Sequence, residues 1–220
     1  MRILVVGATL EEVESLKSGV LSRKSKVGSQ TQGSELKTID FLITGAGMIA
    51  TAFAMGKHLA ANSYDLAINL GIAGSFSKDI ALGDVVEIVE DTFAELGAED
   101  DEDFITIDKL GFGESGFRST YPLSEYFNLR KANAITVNTV HGNETSIRKI
   151  SNRINAEIES MEGAAFFYAC REAGIPCMQI RAVSNYVEKR NRDAWQIGLA
   201  IKNLDKFAEE LVKGFNKNYE

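Results

Sequence analysis

Residues 41–75 read FLITGAGMIATAFAMGKHLAANSYDLAINLGIAGS. An apolar run (41–43) enters a glycine turn, a helical stretch (48–61) follows, and a second apolar run (66–70) ends in a second glycine turn. Short apolar runs bounded by Gly, Asp or Asn read as buried strands. Working outward, further runs lie at 3–6, 85–89, 134–137 and 178–183, with helical stretches at 10–16, 123–131 and 161–173. Alternation of this kind predicts α/β layering with a largely parallel or mixed central sheet. No linker, internal repeat or low-complexity tract interrupts it, so a single domain spanning 1–220 is expected.

Two helices are well marked. The stretch 161–173 is followed by Gly174 and then Pro176, the usual stop. The last helix carries Ala194, Ile197, Ile201, Leu204, Ala208, Leu211 and Phe215 at spacings of three and four, one apolar stripe that is core or subunit contact.

Composition narrows the classes. The 220 residues are 45% hydrophobic and 25% charged, which suits a globular chain and excludes disorder and fibre repeats. The net charge is −7, but residues 84–103 hold ten carboxylates and no Lys or Arg, so the surplus is local. The run Glu99 to Asp103 reads as a solvated loop. No basic stripe exists to neutralise phosphates, so no nucleic-acid partner is expected. Cys170 and Cys177 have no partner set for zinc or a disulfide framework and are read as reduced, buried thiols. The apolar start, 3–6, is too brief and too soon followed by Glu11 and Glu12 to be a signal peptide, and no run of 18 apolar residues exists. No membrane partner and a cytoplasmic location are expected.

Five places could carry chemistry. Gly45-Ala46-Gly47-Met48-Ile49-Ala50 matches a dinucleotide fingerprint, yet Asp65, the acid with the right spacing, precedes its strand instead of ending it. The turn after Leu70 places Gly71, Ala73 and Gly74 where backbone N–H groups can approach a ligand, or where a plain turn is needed. Thr9-Leu10-Glu11-Glu12 fits a helix capping box, while Glu12 also lies at the carboxyl end of the first strand, where open α/β sheets bind ligands. Glu162 opens an otherwise apolar helix, where the helix dipole favours it and small neighbours leave room for a sugar. Arg181-Ala182-Val183-Ser184-Asn185 ends a buried strand in polar groups, as a site would.

Together GATLEEV (7–13), TGAGMIATA (44–52), NLGIAGS (69–75), ESMEGAA (159–165) and RAVSN (181–185) resemble the purine nucleosidases related to methylthioadenosine/S-adenosylhomocysteine nucleosidase, within the nucleoside phosphorylase fold. The resemblance implies an α/β fold of three layers, αβα, in which helices flank a central, mixed, twisted β-sheet. The stretch 184–195 is most similar to the futalosine hydrolases of that family, enzymes of the alternative menaquinone pathway. The resemblance implies that Glu12 is the general base for an attacking water, and that Glu162 holds the ribose hydroxyls. It implies that Met161 packs on the sugar and that Arg181 lies near the water and the base. Ala73 and Gly74 would give backbone contacts to the ribosyl side, and Ser184 would support the residue after it.

Asn185 stands where the adenine-cleaving relatives carry Asp. An amide NH2 can donate to N7 or O6 of a 6-oxopurine and stabilise the charge on the leaving base, so Asn185 is the second expected catalytic residue, with a 6-oxopurine nucleoside as substrate. Arg190 and Arg192 are candidates for a carboxylate at the 5′ end, or plain solvated residues. The turn Thr139-Val140-His141-Gly142-Asn143 lacks the phenylalanine that stacks on the base in those relatives, and Ile72 replaces a serine of theirs. Glu11 and Glu12, without an arginine beside them, would repel phosphate, which favours water as nucleophile. The expectation is a nucleosidase without metal, cofactor or histidine base, assembled as a dimer or larger homo-oligomer. An adenine-releasing nucleosidase, or a non-catalytic nucleotide-binding module using Gly45 and Gly47, are the alternatives.

Overall fold

A computed structural model describes residues 1–14, 16–18, 38–121, 123 and 127–217. In chain order the elements are β1 (Arg2–Gly7), β2 (Thr38–Ile43), α1 (Met48–Leu59), β3 (Leu66–Ser75), β4 (Val85–Phe93), β5 (Gly97–Asp100) and β6 (Asp103–Thr106). There follow α2 (Ile107–Leu110), β7 (Gly116–Arg118), β8 (Arg130–Thr136), α3 (Glu144–Arg153), β9 (Ile158–Ser160), α4 (Gly163–Glu172), β10 (Cys177–Tyr186) and α5 (Ile197–Lys217).

The sheet is mixed, as expected. β1 runs parallel to β2 and β3, and β3 parallel to β10. β4 is antiparallel to β10 and parallel to β8. The short β9 pairs with β8 on one side and with β3 on the other, so β3, β10, β4, β8 and β9 close into a ring from which β1 and β2 extend. Alternation along the strands feeds two cores. Leu4, Val6 and Ala67 face the cluster that contains Met55 of α1 and Phe166 of α4, while Ile3, Val5, Leu66 and Ile68 face Leu204, Ala208 and Leu211 of α5. From Leu204 to Phe215 the apolar stripe of α5 is core, whereas Ile197 is exposed, Ile201 is half-buried, and Ala194 lies outside the helix in a 3-10 turn, Arg192–Ala194.

Two local expectations need correction. Of the helical stretch 123–131, residues 124–126 lie outside the described residues, 127–129 belong to no regular element, and Arg130 and Lys131 open β8. From Lys131 to Ala134 exposure alternates residue by residue, a period of two that favours the strand. The ring of Phe127 leaves that path to sit edge-on to Phe207, centroids 5.4 Å apart. The acidic run is solvated as expected but is not a loop: β5 and β6 pair antiparallel around Asp101 and Glu102, with Asp101 at φ 54. Aspartate tolerates that left-handed turn conformation better than most residues. Among the described residues, no helix is long and apolar enough to cross a membrane.

Candidate active site

β1 and β9 use the same side of β3 at different heights, β1 pairing as far as Asn69 and β9 beginning at Gly74. The stretch between them has a free edge, and Glu12 fills it. Its Oε1 accepts the Ile72 N–H at 3.1 Å, and its Oε2 accepts the N–H groups of Ala8 and Thr9 at 2.9 and 3.0 Å. The reach back to Thr9 is half of the capping box, so the structural and the site use of Glu12 coexist. Burial raises the Glu12 pKa above the usual carboxylate range, against the backbone donors and the nearby Arg181 guanidinium, which lower it. Gly71 makes this closeness possible, since a Cβ there would overlap Arg181 Nη1 and lie 3.1 Å from Glu12 Oε1.

Glu162 is the N-cap residue of α4, yet its carboxylate makes no cap bond in its own helix. Oε1 instead accepts the N–H of Gly47, 2.9 Å away in the first glycine turn. Gly45 and Gly47 adopt φ 83 and 96, which explains the glycines of the fingerprint without a dinucleotide. Asp65 is at the far edge of β3, where it accepts the Arg2 N–H at 2.6 Å.

The third wall is the end of β10. Ser184 Oγ lies 3.1 Å from the Ala73 carbonyl and donates to Asn185 Oδ1 at 2.9 Å, while Asn185 Nδ2 donates to the Tyr186 carbonyl at 3.1 Å. The amide is thus turned with its NH2 away from the serine. One N–H remains for a ligand.

Glu12, Ile72, Ala73, Gly74, Met161, Glu162, Ser184 and Asn185 line one cavity of about 620 Å³. Arg181 is buried beneath it, with Nε and Nη2 lacking hydrogen-bond partners among the described residues. Arg190, Trp195, Ile197 and Ile201 complete the wall, with the Arg190 guanidinium 5.3 Å from the Trp195 ring centre. Arg192 lies 5.9 Å from the same ring but is not part of the wall.

The structure adds a histidine that the reading of the sequence did not assign to the site. His141 and Glu159 are both in the wall, and the ring Nδ1 of His141 is in contact with Glu159 Oε2. The His141 N–H also donates to Glu159 Oε1 at 2.9 Å. The signal was an acid in the middle of a strand of three buried residues, Ile158–Ser160, visible only once β9 is recognised.

A buried polar layer lies below. Asp91 accepts from Thr136 Oγ1 at 2.8 Å and Gln179 Nε2 at 2.9 Å, and Thr136 Oγ1 accepts the Ala164 N–H at 2.8 Å, which ties β4, β8 and β10 to the first turn of α4. Burial pushes the Asp91 pKa up to about 6, against these two donors and Arg181. A Cβ at Gly163 would overlap Asp91 Oδ2 and Gln179 Oε1, so α4 begins on a glycine.

The mixed, partly closed sheet is shared with known proteins. Residues 2–215 match the Phosphorylase superfamily, and the chain belongs to it. Within the superfamily it falls among the purine nucleosidases. It is 33% identical to futalosine hydrolase of Streptomyces coelicolor over 75% of this chain and 74% of that one. It is 31% identical to futalosine hydrolase of Acidothermus cellulolyticus over 92% and 86%. Among solved structures, methylthioadenosine/S-adenosylhomocysteine nucleosidase of Neisseria meningitidis shares the fold at TM-score 0.74 and 19% identity, covering 96% of this chain and 98% of that one.

Proposed function

We propose that the protein hydrolyses the N-glycosidic bond of a 6-oxopurine nucleoside, futalosine being the substrate that fits best, with release of hypoxanthine. The carrying observation is the amide at Asn185, turned by Ser184 so that it offers N–H to the base. Hypoxanthine presents acceptors at N7 and O6, where a carboxylate would set lone pair against lone pair. The relatives named futalosine hydrolase support the same substrate.

The roles follow from the walls. Glu12, held by three backbone N–H groups with a raised pKa, takes a proton from water as the C1′–N9 bond breaks. Glu162 accepts the ribose hydroxyls, Met161 packs on the sugar, and the backbone of Ala73 and Gly74 borders the ribosyl group. Arg181, buried beside Glu12, offsets negative charge near the water. Asn185 stabilises charge on the departing purine, an effect that grows in the transition state. Arg190, stacked near Trp195 beside Ile197 and Ile201, suits a 5′ substituent with an apolar body and a carboxylate. Arg190 is the one arginine or lysine in this wall among the described residues, and the carboxylates of Glu11 and Glu12 in the same wall disfavour phosphate as nucleophile.

We further propose that residues 1–220 act as one domain in the cytoplasm, without metal or cofactor, and as a homo-oligomer. Ile49, Phe53 and Phe112 are 79%, 73% and 80% exposed, and an assembly would cover them. The test of function is incubation with futalosine, inosine and methylthioadenosine, with and without phosphate, followed by identification of the freed base. Hypoxanthine from futalosine without phosphate is expected. Faster adenine release from methylthioadenosine overturns the substrate assignment, and no free base overturns catalysis.

A further inference from the structure

The cleavage must balance protons at both ends of the bond. Water supplies a new C1′–O bond and gives its proton to Glu12, while the electron pair of C1′–N9 departs with the purine. That base must collect a proton, and an amide such as Asn185 donates hydrogen bonds but no proton. We propose that His141 is the acid that protonates the leaving purine and that Glu159 is its positioning residue; the inference rests on the nucleosidase function above.

Elimination points to His141 first. The ionisable side chains in the cavity wall are Glu11, Glu12, His141, Glu159, Glu162 and Arg190. Glu12 acts on water. Glu162 is bound to Gly47 on the sugar side, Glu11 is exposed, and Arg190 keeps its protons. Both oxygens of Glu159 are occupied by His141 itself.

Position agrees. In the strand ladder Gly74 lies opposite both Asn185 of β10 and Glu159 of β9. Residues opposite one another share a face of the sheet, and the middle one has no side chain. A Cβ at Gly74 would lie 3.1 Å from Asn185 Nδ2, so the amide leans over the glycine. Asn185 and the His141–Glu159 pair thus flank one gap, the width of a strand pair on each side. Phe76 backs the imidazole, with centroids 6.4 Å apart, and the side chain is 14% exposed.

The ring is also oriented for the task. The Glu159 carboxylate fixes the hydrogen on Nδ1, which leaves Nε2 as the atom that exchanges a proton. No described residue hydrogen-bonds Nε2. In the step, Nε2–H passes its proton to a ring nitrogen of the purine as N9 leaves, the imidazolium becomes imidazole, and Glu12 holds the proton from water. Solvent returns that proton to the histidine between turnovers, so one water is consumed and no other reactant is needed. The charged groups around the ring are Glu159 in contact, and Glu12, Glu162 and Arg190 on the other walls.

The experiment compares two leaving groups, a 6-oxopurine that needs a proton and the nitrophenolate of a p-nitrophenyl riboside that does not. His141→Gln is expected to lower kcat on futalosine or inosine by about 10²–10⁴-fold, the range of general acid catalysis, with KM nearly unchanged and the nitrophenyl riboside hydrolysed within about tenfold of wild type. Glu159→Gln should show the same pattern with a smaller loss. Equal losses on both substrates, or no loss on the nucleoside while Glu12→Gln is inactive, overturn the acid role. Full activity of Glu12→Gln on both substrates removes the nucleosidase site, and this proposal with it.

Discussion

The two ends of the cavity are built by different means. At the Glu12 end the carboxylate is held by three backbone N–H groups, from Ala8, Thr9 and Ile72, and so depends on chain path more than on neighbouring side chains. At the other end, to which the proposed function assigns the purine, side chain holds side chain, Ser184 on Asn185 and Glu159 on His141. A group held by backbone survives substitution of its neighbours, whereas one held by a side-chain partner can be retuned by a single change. Under the proposed function, the nucleophile end is then the conservative part of the site and the purine end the adjustable part.

The largest effect is expected at the first end. Glu12→Gln should reduce kcat by about 10²–10⁴-fold with little change in KM or in thermal unfolding, and activity within about tenfold of wild type would break the comparison. The same carboxylate predicts an acid limb in kcat/KM that falls as pH drops through a Glu12 pKa above the ordinary glutamate value, because burial raises it. A limb at the ordinary value would show that the base is elsewhere.

The floor beneath both ends provides the next test. The Asp91 carboxyl, raised to about 6 in the folded protein from 3.8, stabilises the fold fully below its unfolded pKa, and that stability is lost as pH rises through about 6. Urea unfolding at pH 4 to 7 should show a decline on the order of a few kcal/mol, and Asp91→Asn should flatten it. A decline that persists unchanged in the variant would assign it to other groups.

Asn185→Asp probes the adjustable end. The ratio of hypoxanthine to adenine release should fall by about tenfold or more, the scale of a buried hydrogen bond made favourable for one base and repulsive for the other. An unchanged ratio would mean that the purine is read by another residue. The smallest effect is expected at Gly47, whose φ of 96 an L side chain adopts poorly. Gly47→Ala should cost about 1 kcal/mol of stability and raise KM several-fold, since the N–H that holds Glu162 is displaced. A KM equal to wild type would separate Glu162 from the glycine turn.

Much of the site was legible because its residues sit at strand ends and glycine turns, where local pattern is strongest. Glu12, Ser184 and Asn185 were each visible as a polar group at the end of a buried run and Glu162 as a charge opening an apolar helix, and all line one cavity. The use of Gly45 and Gly47 was not, because their partner is Glu162, and a sequence match cannot tell a carboxylate of the same chain from a phosphate. The stretch 123–131 was misjudged where β8 begins, since Arg130 and Lys131 are both exposed and the alternation that marks the strand runs on past the end of that stretch, to Ala134. His141 was the clearest loss. It lies 18 residues from its partner Glu159, on a turn without periodicity, and nothing local signals the contact.

By itself the sequence determined the alternating elements, the two apolar faces of the sheet, and the glutamates and amide at the strand ends, because burial and turn chemistry are encoded by near neighbours. Only the tertiary structure decided that β9 closes the ring, that Gly47 holds Glu162 and that His141 meets Glu159. These depend on strand register, which brings together residues far apart along the chain, and register is settled by the packing of the whole sheet.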